Sequence, residues 1–193
     1  KDIKTAIAST GIQHLNPMQE AMATAHGDNI LLLAPTGSGK TLAFTLYLLQ
    51  RVRPDDNRQI KALVIAPSRE LVLQIYDVIR PIASGMKVSA LYGGHSMTDE
   101  VNTLSVIPDI IIATPGRLLD HLRRGQLDIT GIQTLVLDEY DKSLELGFSD
   151  EMSRIIRRLT SLKNTVLTSA TRLSRIPEFL SVGRFDTLDF TDS

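Results

Sequence analysis

The chain has 193 residues, 42% of them hydrophobic and 22% charged, with 21 Lys and Arg against 22 Asp and Glu. That length suits one domain large enough to bury a central sheet under helices, and a net charge of −1 leaves any polyanion partner to be argued from where the basic residues lie. The absence of Cys excludes disulfides, Cys-based zinc sites and thiol nucleophiles, and 5% aromatics with no Trp argue against base stacking as the main binding device. The first nine residues carry no signal-peptide core, and no apolar run approaches the roughly 18 residues of a membrane helix. A soluble, cytoplasmic protein with no membrane partner is expected.

In chain order, residues 5–8 read as a short helix ended by Gly11, and Asn16-Pro17 as a cap and first position of a helix over residues 17–26. The apolar run Ile30-Leu31-Leu32-Leu33 is a strand, followed by Ala34-Pro35-Thr36-Gly37-Ser38-Gly39-Lys40-Thr41 and a helix to Arg51. Ala62-Leu63-Val64-Ile65-Ala66 is a second strand of the kind buried on both faces in a parallel sheet. Helix over 68–83, strand over 87–92, helix over 97–104, strand over 109–113 and helix over 115–124 follow. Strand 134–137, helix 150–162, strand 165–168, helix 176–182 and strand 187–190 complete the pattern. Such alternation implies one α/β domain with a parallel sheet covered on both faces and its ligands at the C-terminal strand ends. The chemically interesting residues gather there: Lys40 and Thr41 after the first strand, Arg69 after the second, Gly93 after the third and Arg117 after the fourth. Asp138 and Glu139 follow the fifth strand, Ser169 and Thr171 the sixth.

Strand, Gly-rich loop and helix in that order suit a phosphate chain. Glycines let backbone N–H groups curl around phosphate oxygens, the helix start adds its positive dipole end, Lys40 reaches the terminal phosphates and Thr41 offers a hydroxyl to Mg²⁺. Ala34 stands where the pattern has its first Gly, with Gly37, Gly39, Lys40 and Thr41 in register. An ordinary Gly-rich turn has no need of Lys-Thr directly after its last glycine. Asp138, ending an apolar strand, suits a hard, oxygen-seeking Mg²⁺, and Glu139 is placed to orient or deprotonate an attacking water. Both acids also suit the N-terminus of a following helix.

Taken together, residues 11–19 and 34–41, Pro67-Ser68-Arg69-Glu70-Leu71, Gly93-Gly94, Thr114-Pro115-Gly116-Arg117, Asp138-Glu139-Tyr140-Asp141 and Ser169-Ala170-Thr171 stand in the order and approximate spacing of DEAD-box RNA helicase motifs. Leu144, Gly147 and Phe148 resemble the residues that trail the Asp-Glu-x-Asp element. Over nearly its whole length the chain resembles the N-terminal RecA-like domain of that family, and the second RecA-like domain, with its arginine finger and RNA contacts, has no counterpart in it. The resemblance implies a single P-loop NTPase domain over residues 1–193, with a mostly parallel central sheet and helices on both faces, that uses ATP and Mg²⁺. In the full protein it would couple ATP hydrolysis to RNA strand separation, the isolated domain being weakly active.

The resemblance also distributes roles. Thr36, Gly37, Ser38, Gly39, Lys40 and Thr41 would hold the nucleotide, with Gln19 on the adenine edge; Thr41 and Asp138 would hold Mg²⁺; Lys40, Asp138 and Glu139 would be catalytic. Pro67, Ser68, Arg69, Gly93, Gly94, Thr114, Gly116 and Arg117 would hold one RNA strand by its backbone, as small residues, hydroxyls and Arg do without reading sequence. Asp141, Ser169 and Thr171 would link the two sides. Tyr140 replaces the family's Ala, a ring that needs a gap to occupy, and Ser68 replaces Thr with its hydroxyl kept. Leu15 and Asn16 stand for the usual Pro and Thr, and Ile12 for an aromatic, so the adenine motif departs furthest. A nucleotide- or RNA-binding module with little turnover and a related DNA helicase or translocase are the alternative readings of the same residues.

Overall fold

Strictly alternating sides turn the apolar runs into strands that serve two cores at once. The structure, a computed structural model, describes residues 8, 14–54, 58–180 and 183–191. Of the helix expected over residues 5–8 only Ala8, helical, is among these, and Gly11 and Ile12 lie outside them. The elements begin with α1 (Pro17–Thr24), β1 (Asn29–Leu33), α2 (Lys40–Arg51), β2 (Ala62–Ile65), α3 (Arg69–Ile82), β3 (Val88–Leu91) and α4 (Met97–Thr103). They continue with β4 (Ile110–Ala113), α5 (Pro115–Arg123), β5 (Thr134–Leu137), α6 (Tyr140–Glu145), α7 (Ser149–Ile156), β6 (Asn164–Ser169) and β7 (Asp186–Asp189). The sheet has the order β3-β4-β2-β5-β6-β1-β7, with every neighbouring pair parallel.

Ile30, Leu32, Val64, Ile112, Val136 and Val166 face one core with α2 and α3, whereas Leu31, Leu33, Leu63, Ile111, Leu135 and Leu167 face the other with α5 and α7. Each fully buried aliphatic side chain removed from water is worth about 1.5–3 kcal/mol, so this two-sided covering is the main source of stability. In α3 the buried positions Val72, Ile75, Ile79 and Ile82 recur at helical spacing, and the Ser68 hydroxyl caps the start by accepting from Leu71 N at 3.2 Å. In α1, Asn16 and Gln19 form a reciprocal capping box. The Tyr47 hydroxyl donates to Gly27 O at 2.7 Å and the Arg51 guanidinium sits 3.5 Å from the Tyr47 ring centroid, fastening α2 to the segment before β1.

Two expectations fail locally. Residues 176–180, expected in a helix over 176–182, form a turn in which Leu180 N donates to Pro177 O at 3.0 Å. Pro177 disfavours the helical conformation at Ile176, the expected first residue, although a proline in a first turn is otherwise tolerated, as Pro17 and Pro115 are. The helix expected to reach residue 162 ends at Ile156, because Leu159 N closes a tighter bond to Ile156 O at 2.9 Å. The segment after Asp138-Glu139 is itself helical, as α6.

Tyr140, the departure from the family pattern, is 1% exposed and lies in the second core together with Leu137, Met152 and Leu167. Burial pushes its phenol up to about 12. The ring therefore fills space that an alanine would leave empty. Tyr140→Ala should lower stability by about 3 kcal/mol, read in a thermal melt as a fall of roughly 6–12 °C, whereas Tyr140→Phe should stay within about 1 kcal/mol of the parent. A Tyr140→Ala chain that melts with the parent would show that the ring packs against nothing.

Candidate functional site

Because all seven strands run parallel, their C-terminal ends share one edge, and the sheet order sorts that edge into two neighbourhoods. The loops after β1, β5 and β6 carry the phosphate loop, Asp138-Glu139 and Ser169-Ala170-Thr171. The loops after β3, β4 and β2 carry Gly93-Gly94, Thr114 to Arg117 and Pro67 to Arg69. The backbone ladder continues just past the strands: Ala34 N donates to Ser169 O at 3.0 Å, Asp138 N to Ile65 O at 2.9 Å, Ala66 N to Ala113 O at 3.1 Å and Thr114 N to Leu91 O at 3.1 Å. The two neighbourhoods are thus one hydrogen-bonded rim, joined where β5 meets β2.

In the phosphate loop Gly37 and Gly39 take φ of 79° and 89°, values that side-chain-bearing residues rarely adopt. A Cβ at Gly37 would enter open space, while one at Gly39 would lie 2.5 Å from Gln19 Nε2. Thr36 and Gly37 are exposed, and Ser38 Oγ closes the loop on Pro35 O at 2.6 Å. Gly39 precedes α2, which begins at Lys40, so the loop's backbone and the positive helix end face the same opening. Lys40 is 7% exposed and its Nζ, fully buried, has no hydrogen-bond partner among the described residues. Gln19 lies against this loop: its Nε2 donates to Gly39 O at 3.3 Å and its Oε1 accepts from Asn16 N at 3.0 Å, while Asn16 Nδ2 donates to Ser38 O.

Asp138 is 3% exposed and accepts from Thr168 Oγ1 at 2.5 Å. Burial pushes its carboxyl up to about 6, against the opposing pull of the Thr168 hydrogen bond and the nearby Lys40 charge. Glu139 has φ 50° and ψ 50°, the one positive φ at a non-glycine among the described residues, and its N–H donates to the same Thr168 oxygen at 2.9 Å. Its carboxylate meets Lys142 Nζ at 3.1 Å. Thr171 Oγ1 donates to Asp141 Oδ2 at 3.2 Å, whereas Ser169 Oγ donates to Thr171 O at 2.5 Å and makes no bond to Asp141. Lys40 and Asp138 are close enough for the ammonium charge to act on the carboxyl. An orphaned buried ammonium, an open glycine cradle and a carboxylate on a rigid strand end match the needs of a phosphate chain and a hard cation.

On the other half of the rim, Gly93 and Gly116 face open space, and a Cβ at Gly94 would lie 2.8 Å from Arg69 Nη1, so the Arg69 guanidinium lies over that turn. Arg69 is exposed, with Glu70 at 3.3 Å. Thr114 precedes α5 without using its hydroxyl as a cap, and Pro115 opens the helix. Arg117 is turned inward: its Nε donates to Glu100 Oε1 at 2.7 Å and its Nη2 to His95 O at 2.6 Å. Glu100, His95, His121, Thr168 and Lys142 are site residues that sequence reasoning does not reach. Their side chains look like solvated acids, histidines and hydroxyls until the fold brings remote elements together.

Residues 16–178 match the family described as DEAD/DEAH box helicase. The chain is 36% identical over 174 residues to the ATP-dependent RNA helicase DeaD of Haemophilus influenzae, and 39% identical over 175 residues to that of Escherichia coli strain K12. Each match covers 88% of this chain and 28% of the relative. Among solved structures, a DEAD box protein from the hyperthermophile Methanococcus jannaschii superposes with a TM-score of 0.84 at 30% identity over 98% of this chain and 53% of that one. The yeast DEAD-box splicing factor Prp28 gives 0.79 at 32% identity over 89% and 44%. The chain thus spans little more than a quarter of those two relatives and about half of those structures. A family match across most of the chain, on a fold shared at this identity, means that the chain belongs to the DEAD/DEAH box helicases and forms the N-terminal RecA-like domain of a DEAD-box protein.

Proposed function

We propose that this chain is the ATP-binding and RNA-gripping half of an ATP-dependent RNA helicase, working with a second RecA-like domain that supplies the remaining RNA contacts and an arginine finger. The observation that carries the reading is the single rim on which the unpartnered Lys40 ammonium and the buried Asp138 carboxylate adjoin the segments after β2, β3 and β4. The relatives' own description as ATP-dependent RNA helicases supports the choice of ATP and RNA.

In this reading the loop N–H groups and Lys40 bind the phosphates, Thr41 and Asp138 would hold Mg²⁺, and Gln19 contacts the base from its place beside Gly39. Bound Mg²⁺ supplies charge neutralisation at the terminal phosphates. Glu139 positions the attacking water once its carboxylate leaves Lys142, a contact half-exposed on the lysine side and readily exchanged. Arg69, the Gly93-Gly94 turn, Thr114, Gly116 and Arg117 grip the strand's sugar-phosphate spine without reading sequence, with Pro67 and Ser68 setting the start of α3. Asp141 and Thr171 tie the two activities across β5 and β6.

Lys40→Met, which keeps the stem and removes the ammonium, should weaken ATP binding about 10- to 100-fold, the worth of a charge-assisted phosphate contact; an unchanged titration would remove Lys40 from the site. In the full-length protein, Glu139→Gln should retain ATP binding but lose roughly 10²-fold in RNA-stimulated hydrolysis. Equal rates in the two proteins with saturating single-stranded RNA would defeat the enzymatic reading, and stronger stimulation by DNA of the same sequence would redirect the substrate.

The pH dependence of stability has a definite sign. Because the folded chain raises Asp138 from 3.8 to about 6, it holds more protons there than the unfolded chain, and this contribution to stability is lost as pH rises through that window. In metal- and nucleotide-free protein, Asp138→Asn should therefore melt above the parent at pH 7.5, with the gap shrinking toward pH 5. A gap that widens as the pH falls would mean that the carboxyl is not held back by burial.

A further inference from the structure

No motif contains Glu100, yet it is the most heavily contacted carboxylate of the nucleic-acid half. It sits in the first turn of α4 with its side chain 1% exposed. Oε1 accepts from Arg117 Nε at 2.7 Å and faces His121 Nε2 at 2.7 Å; Oε2 accepts from Tyr92 N at 3.1 Å and faces His95 Nδ1 at 2.9 Å. Arg117 Nη2 closes a second link to His95 O, and the His95 ring stacks on Tyr92 with centroids 4.9 Å apart. His121 Nδ1 faces Gln126 Oε1 at 2.9 Å, which anchors the far side of the ring.

Both oxygens are thus spent, one on α5 and one on the turn that ends β3. Burial pushes the Glu100 carboxyl up, but hydrogen bonds from His121, Arg117, His95 and the Tyr92 N–H outweigh it and hold the group below the ordinary glutamate value. A buried charge is a costly way to stabilise a fold, since apolar residues of similar volume often serve as well. What a carboxylate does, and an apolar side chain does not, is fix the relative position of donors from separate segments. Here those segments are the Gly93-Gly94 turn and the start of α5.

We propose that Glu100 is a positioning residue for the strand-gripping face, locking the Gly93-Gly94-His95 turn and Arg117 into one rigid unit and setting the direction in which Arg117 meets a phosphate. The inference rests on the RNA-backbone reading above. With Nε and one Nη2 hydrogen committed inside the protein, Nη1 and the other Nη2 hydrogen are what Arg117 has left to give. A guanidinium held on two sides loses little freedom when a phosphate arrives, so its contact is stronger than that of an unrestrained arginine.

The test is a titration of this 193-residue chain at low salt with labelled single-stranded oligouridine RNA, read by fluorescence anisotropy, alongside a titration with a fluorescent ATP analogue. Glu100→Ala should weaken RNA binding about tenfold, within the range of coupling between contacting residues, and leave ATP-analogue affinity unchanged. Glu100→Gln, which keeps an acceptor for Arg117, should recover most of the loss. Glu100→Ala combined with Arg117→Ala should bind RNA no worse than the weaker of the two single variants, because each acts through the other. Unchanged RNA binding by Glu100→Ala, independent losses that multiply in the double variant, or loss of both ligands together in Glu100→Gln would each overturn the proposal. If the unmodified chain holds no RNA, the same titrations are made on the full-length protein, and failure there too ends the RNA reading and the positioning role with it. Firm binding by the parent with no change in Glu100→Ala removes only the latter.

Discussion

The site depends on a cation that the fold buries and then leaves without a partner. Lys40 begins α2, a helix buried at Leu42 to Leu49, and its ammonium is buried with no hydrogen-bond partner among the described residues. An isolated buried charge costs several kcal/mol, and a neighbouring carboxylate would normally relieve it. Asp138 is near enough for the Lys40 charge to favour its ionised form, against the burial that pushes its carboxyl up. The glycine turn adds backbone donors to the same opening. A buried ammonium and free backbone donors beside it are what a polyanion's oxygens require, and a carboxylate on a rigid strand end is what a hard cation requires.

The rim that carries these groups is rigid. Thr168 is the hinge pin of the nucleotide half: its hydroxyl donates to Asp138 and accepts from Glu139 N, so the end of β6 fixes the turn that leaves β5. Asp138 N, in turn, donates to Ile65 O on β2, the first strand of the other half. From there the ladder runs through Ala113 and Leu91 to the Gly93 turn. Backbone bonds between paired strands thus join the neighbourhood of the phosphate loop to the Gly93 turn without a break.

The fold was legible because its signals are local. Runs such as Leu63-Val64-Ile65 and Ile110-Ile111-Ile112 are short and rich in β-branched residues, which favours a strand covered on both faces, and Gly37, Gly39 and Lys40 carry their chemistry in their own spacing. Partners were not legible. Glu100 meets residues 17 and 21 positions away, and as an acid in the first turn of a short helix it looks like any solvated dipole partner. The inward turn of Arg117 and the grip of Lys142 on Glu139 depend on that same tertiary placement. The expected helix over residues 176–182 is a different case: its apolar spacing is helical, yet residues 176–180 close only one turn, with Leu180 N on Pro177 O.

The departure at Tyr140 shows how a change inside the signature motif acts on packing rather than on chemistry. Glu139 is held in the left-handed region, a conformation that costs a side-chain-bearing residue about 1–3 kcal/mol and persists only when its surroundings over-determine it. On one side its N–H is bound by Thr168. On the other, the next residue buries a phenol in the second core beside α7, where a methyl would bury far less area. The ring therefore anchors the first residue of α6 and holds the strained turn closed from its C-terminal side. The ring belongs to the same core as Leu137, Met152 and Leu167, so what this position adds over a methyl is buried area in the packing under α6.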